Sequence, residues 1–236
     1  VFHALAKLGI QPTYVAGTSA GAIVGSMYAD GLSVAEMMAF WEKEHLFDLG
    51  SISLNGLGLF DMKKAGKSLE DYLQARQFSE LKYRLFVVAT QMISGQAVVF
   101  EKGELIPAIC ASAAFPLMFS PVVIEESIYL DGGILNNFPT EPLREICDVL
   151  IGVNVSPLRK IVADDMNSST EVMLRTVELS TDVATRAKLK DCDVVISPES
   201  LSNFPTFNQQ KIGEIFKIGF DAAMEQEEAL RKLIGD

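Results

Sequence analysis

Histidine is nearly missing from this chain: its 236 residues include two, His3 and His45. Any imidazole chemistry must rest on one of them. His3 falls in the first helical stretch and His45 closes a helix among charged residues, so both read as surface side chains. Cysteine is almost as scarce, with three (Cys110, Cys147 and Cys192). Few, odd in number and widely spaced, they form neither a disulfide framework nor a zinc pattern. They favour a reducing compartment and read as three buried thiols acting as small apolar groups. Long apolar runs are missing too. The longest, residues 107–124, is interrupted by Pro107, Pro116 and Pro121, and a membrane-spanning helix needs about 20 unbroken residues. Basic charge is in deficit, with 20 Lys and Arg against 31 Asp and Glu, a formal net charge of −11. That field repels phosphate backbones, which argues against nucleic acid as a partner. It also disfavours attraction of the whole protein to anionic lipid, although a local patch can still touch a membrane surface.

What is present is ordinary globular material. Hydrophobic residues make up 49% and charged residues 22%, enough for a large core in a single domain over residues 1–236. Residues 1–9 read as the last turns of a helix stopped by Gly9, which predicts that the natural chain extends upstream and leaves secretion open. Residues 12–17 form an apolar strand and residues 20–29 a buried helix. Ser33 caps a helix reaching about His45, residues 50–58 are loop-like, and Asp61 caps a helix over 61–73. The β-branched run 84–90 predicts a strand buried on both faces, followed by a turn at Ser94-Gly95 and a strand at 97–100. A small-residue helix over 105–114 precedes strand 128–130. Strand 149–155, a long helix over 169–190, strand 194–196 and a helical pattern over 207–233 complete the chain. Strands alternating with helices predict an α/β fold with a largely parallel sheet between helix layers.

The strand at 12–17 runs into Gly17-Thr18-Ser19-Ala20-Gly21, and a helix starts at once. A serine there sits on a sharp strand-to-helix turn that exposes its hydroxyl. Gly17 and Gly21 flank it where side chains would collide. The Ala20 amide, at the helix N-terminus, suits a developing oxyanion. A glycine-lined turn with Ser19 as a plain helix cap also fits the five residues, but the strand before and the helix after are the context of a nucleophile elbow.

A nucleophilic serine needs a base, and no histidine follows position 45. A Ser-His-Asp triad is therefore disfavoured and a carboxylate must serve. Asp131 stands out: it follows Ile128-Tyr129-Leu130 and precedes Gly132-Gly133, at a strand end where burial would raise its pKa, although nearby amides would oppose the rise. An Asp-Gly turn is the plainer alternative.

Together these residues resemble the patatin-like phospholipases, which are lipid acyl hydrolases. Four segments carry the resemblance: Gly17-Thr18-Ser19-Ala20-Gly21, Ala111-Ser112-Ala113-Ala114-Phe115-Pro116, Tyr129-Leu130-Asp131-Gly132-Gly133 and Asn136-Asn137-Phe138-Pro139. Their order and spacing fit, and they span about half of the chain. The resemblance implies a Ser19–Asp131 dyad, a three-layer α/β/α fold, no metal and no organic cofactor. It also implies substrates that are fatty acyl esters of phospholipids and neutral lipids. The family's glycine-rich oxyanion loop follows its first strand. Both are expected upstream of Val1, and Gly132-Gly133 does not replace them. Phe115, Leu117, Met118 and Phe119 are candidate walls of an acyl pocket, and Leu57, Leu59 and Phe60 a candidate lipid-surface loop. The expected setting is the cytoplasm or a membrane periphery. An acyl-thioesterase or acyltransferase with the same dyad, or a catalytically silent scaffold or regulatory homologue, are the competing functions.

Overall fold

Apolar β-branched runs form the strands and small-residue runs the helices packed on them, in a computed structural model that describes residues 1–44, 60–204 and 211–235. In chain order the elements are α1 (Phe2–Lys7), β1 (Tyr14–Thr18), α2 (Ala20–Asp30), α3 (Val34–Lys43), α4 (Met62–Tyr72), β2 (Arg84–Gln91), β3 (Gln96–Phe100), α5 (Leu105–Ala113), β4 (Val122–Ile124), β5 (Ser127–Asp131), α6 (Gly133–Asn136), α7 (Glu141–Arg144), β6 (Ile151–Val153), α8 (Ser169–Lys188), β7 (Val194–Ile196), α9 (Ile212–Met224) and α10 (Glu227–Leu233). His45, the stretch 50–58, Leu57 and Leu59 lie outside the described residues. The chain forms two compact units: Pro12–Ile146, and Val1–Gln11 together with Cys147–Asp236.

In the unit Pro12–Ile146, β2 is the spine. Its residues 85–90 are all buried, as expected for a strand covered on both faces. β1 pairs with it in parallel, β3 and β5 antiparallel, and β4 pairs antiparallel with β5. The fold is thus mixed α/β with a central sheet and flanking helices, but the sheet is not mostly parallel. The reason is local. Gly95 (φ 65) closes a tight hairpin between β2 and β3, and Glu125 (φ 54) turns β4 back into β5. Short hairpins join only antiparallel strands, whereas a parallel pair needs a long crossover, here the helices between β1 and β2. β4, concealed in the apolar run 107–124, has no sequence signal of its own.

α2 packs on β1 and β2 because it is narrow. A Cβ on Gly25 would lie 3.1 Å from Val15 Cγ1 and 3.3 Å from Leu85 Cδ1. α5 is buried along nearly its whole length and packs on β2, β5, α2 and α4. Helix starts follow the expected chemistry: Ser33 and Glu36 form a reciprocal capping box on α3, and Asp61 accepts from the Lys63 amide on α4.

In the unit Val1–Gln11 with Cys147–Asp236, β6 and β7 pair in parallel. Leu5, Leu8, Ile10, Val194, Ile196, Ala223 and Leu230 share a core. α8 contributes little to it, since Thr185 is its one buried residue among 20. The helical pattern at the chain end divides into α9 and α10 at Glu225-Gln226, where no Gly or Pro marks the break. Of the three thiols only Cys110 is buried, and burial pushes its pKa up to about 12; Cys147 and Cys192 are half-buried. They sit in the loops leading to β6 and β7, which the core covers incompletely. Among the described residues no helix is long and apolar enough to cross a membrane.

Candidate active site

Two strands meet head-on along one edge of β2. Thr18, the last residue of β1, lies opposite Val88, and Asp131, the last residue of β5, lies opposite Ala89. β3 pairs with residues 87–91 and so takes the other edge. A strand has only two edges, so β1 and β5 must share the remaining one, running toward each other. Their ends arrive one residue apart, and both chains must leave the sheet there.

They leave in different ways. Ser19 adopts φ 56 and ψ −125, in the positive-φ region that a side chain rarely tolerates. α2 starts at the next residue. The turn is tight enough that a Cβ on Gly17 would lie 2.4 Å from the Gly21 carbonyl oxygen. Gly21 is different from what the motif implies: a Cβ there meets nothing within 4 Å, because its Cα faces outward, as the exposure of Ala20 and Gly21 reflects. The Ala20 amide belongs to the first turn of α2, where N–H groups lack an intrahelical acceptor.

Asp131 continues into Gly132, whose missing side chain makes the crossing possible. A Cβ there would lie 2.1 Å from the Val88 carbonyl oxygen and 2.9 Å from Thr18 Cγ2. A Cβ on Gly133 would press on the Asp131 and Asn137 side chains at 2.9 Å. Thr18 Oγ1 donates to the Asn136 carbonyl (2.9 Å) and Thr90 Oγ1 to the Asp131 carbonyl (2.9 Å), locking the loop to both strands.

The Asp131 carboxylate is 2% exposed. Oδ1 accepts from the Gly133 amide at 2.7 Å, and Oδ2 is buried without a hydrogen-bond partner. Burial pushes its pKa up to about 6 from 3.8, while hydrogen bonding by the Ser19 side chain and the Gly133 amide pulls it part of the way back. The Ser19 side chain is thus near enough to act on the carboxylate, while Oδ2 closes no hydrogen bond.

The structure therefore brings Ser19, Gly17, Ala20, Asp131, Gly132 and Gly133 to one junction. His3 is exposed on α1 with its ring 5.3 Å from that of Phe220. Of the candidate acyl-pocket residues, Phe119 is buried, Phe115 and Met118 are half-buried, and Leu117 is exposed with φ 70. Phe60 bonds to this segment through its amide to Met118 (2.8 Å) and its carbonyl to Ser120 (2.9 Å). Ser112 is a contributor whose role sequence reasoning missed. Its Oγ accepts from the Ser19 amide at 3.0 Å and donates to the Val88 carbonyl at 2.6 Å. A serine isolated in an apolar helix run was the available signal.

The fold is thus α/β, with a strained serine at a strand–helix turn faced by a buried carboxylate. The chain belongs to the patatin-like phospholipase family, whose model matches residues 1–144. It is 27% identical over 201 residues to an uncharacterized NTE family protein of Mycobacterium tuberculosis, Rv1063c, covering 81% of this chain and 55% of that one. It is 28% identical over 190 residues to the uncharacterized YqhO of Bacillus subtilis, covering 66% of this chain and 65% of YqhO. The chain spans about half the length of the mycobacterial relatives it matches. VipD from Legionella pneumophila shares the fold, with a TM-score of 0.61 at 15% identity over 96% of this chain and 63% of VipD.

Proposed function

We propose that this protein hydrolyses fatty acyl esters of lipids through a Ser19–Asp131 dyad. The observation that carries the reading is the meeting of β1 and β5: it sets a strained, half-exposed serine beside a buried carboxylate with one oxygen free. Family membership supports lipid esters as the substrate class. Such esters lie in a lipid surface, so transient contact with that surface is part of the proposal.

In the proposed reaction Asp131 Oδ2 accepts the Ser19 hydroxyl proton as Oγ attacks the ester carbonyl carbon. The Ala20 amide at the α2 N-terminus faces the developing oxyanion. Collapse expels the alcohol, which takes the proton from Asp131, and leaves an acyl group on Oγ. Asp131 then takes a proton from water as it attacks the acyl carbon, and the fatty acid departs as Oγ regains the proton. A carboxylate with a pKa near 6 is ionised at neutral pH yet basic enough to accept the proton.

The test is labelling of the full-length protein with a fluorophosphonate probe, followed by lipid-product analysis. Labelling and fatty acid release by the parent, both lost in Ser19→Ala, support the reading. Equal labelling of parent and Ser19→Ala overturns it. Acyl-thioester cleavage without ester cleavage would move the protein to the thioesterases.

A further inference from the structure

Ser112 lies on α5, 0% exposed, in an otherwise apolar helix turn. Its hydroxyl does two things at once. It accepts the Ser19 N–H at 3.0 Å and donates to the Val88 C=O at 2.6 Å. Val88 is the β2 residue opposite Thr18, so the hydroxyl stands between the first residue past β1 and the edge that β1 was following. A relay of two hydrogen bonds takes the place of a direct strand-to-strand bond from Ser19.

We propose that Ser112 is a positioning residue for catalysis: its hydroxyl wedges the Ser19 amide off the edge of β2 and so holds Ser19 in the positive-φ elbow that presents its Oγ to Asp131. This rests on the dyad reading above. Without the wedge, the half-buried Ser19 N–H and the buried Val88 C=O both lose their partner. The nearest repair is for the two to bond each other directly, drawing the Ser19 backbone toward β2. Ser19 would then shift out of the elbow geometry and its side chain would move relative to the carboxylate. Only a side chain that donates and accepts together can prevent this, and a hydroxyl does so in the smallest volume. The same helix end also holds the other half of the site. The Ser112 carbonyl accepts from the Gly132 amide (3.3 Å) and the Ala114 carbonyl from the Asp131 amide (3.0 Å). One turn of helix thereby sets both dyad members against a common strand.

The test is saturation kinetics on a p-nitrophenyl ester with full-length parent, Ser112→Ala, Ser112→Cys, Ile109→Val and Ser19→Ala, with melting temperatures alongside. Ile109 is 0% exposed on the same helix and controls for ordinary loss of packing. Ser112→Ala is expected to lower kcat by about 10²-fold with KM unchanged, the mark of a misplaced nucleophile. Ser112→Cys, a weaker donor and acceptor, should fall between, and it carries the comparison alone if the alanine variant does not fold. Ile109→Val should keep the parent's kcat. A Ser112→Ala enzyme with the parent's kcat overturns the inference, as does a kcat loss that tracks melting temperature equally in Ser112→Ala and Ile109→Val. Turnover that survives Ser19→Ala defeats the dyad reading and this inference with it. Ser19-dependent turnover indifferent to Ser112 defeats the inference alone.

Discussion

Thr18 and Asp131 occupy consecutive positions along one edge of β2, opposite Val88 and Ala89, although 113 residues separate them in the chain. Neither strand can advance without colliding with the other. The collision forces Ser19 out into a helix and Asp131 into a glycine turn, so the candidate nucleophile and base are a consequence of sheet topology.

Asp131 is expected to cost stability in its working state. Its pKa is about 6 in the fold against 3.8 for the free group, so the folded protein binds that proton more tightly than the unfolded chain does. Stability therefore falls as pH rises from about 4 through about 6, by about 3 kcal/mol in all at ~1.4 kcal/mol per pKa unit. Asp131→Asn should melt higher than the parent at pH 8 and much closer to it at pH 4. A lower melting temperature at pH 8 would contradict the burial penalty. In the parent, kcat/KM should rise through a limb near pH 6, as the Asp131 carboxyl loses its proton.

Strain at Ser19 is measurable by a pair of replacements. Its φ 56 and ψ −125 mirror an extended conformation, which glycine adopts freely and alanine does not. The elbow should cost alanine about 1–3 kcal/mol. After glycine's extra unfolded-chain entropy, Ser19→Gly should still be the more stable by about 1 kcal/mol, or roughly 2–4 °C in melting temperature. Both are expected to be inactive. Equal melting temperatures would mean the elbow is unstrained.

The motif glycines should part company. Gly132→Ala drives a Cβ to 2.1 Å from backbone of β2 and should abolish soluble folded protein. Gly21→Ala meets open space within α2 and should gain up to about 1 kcal/mol from helix propensity. Urea unfolding of the two variants decides the matter, and a destabilised Gly21→Ala would refute the open-space assignment.

Ser33→Ala removes one partner of the capping box that starts α3, the helix after the one that Ser19 leads into. It should cost about 1 kcal/mol of stability and leave kcat/KM unchanged, which calorimetry and ester kinetics together can check.

Much of the local structure was legible in the sequence because local signals write it. The β-branched run of β2, the caps Ser33 and Asp61, and the glycine-flanked elbow at Ser19 depend on neighbours a few residues away. The absence of histidine after position 45 is a property of the whole sequence, and it points to a carboxylate as the partner of Ser19. Strand direction was less legible. Hairpins at Gly95 and Glu125 make the sheet largely antiparallel, and the short β4 depends on β5 for its ladder. What only the tertiary structure decided is the convergence of β1 and β5 on one edge, the unpartnered Oδ2 of Asp131, the freedom at Gly21 and the bridging hydroxyl of Ser112. Residue types and their order along the chain select the chemistry available. Which groups are dehydrated, and which hydrogen bonds are left to find, depends on segments far apart in sequence being pressed against the same strand.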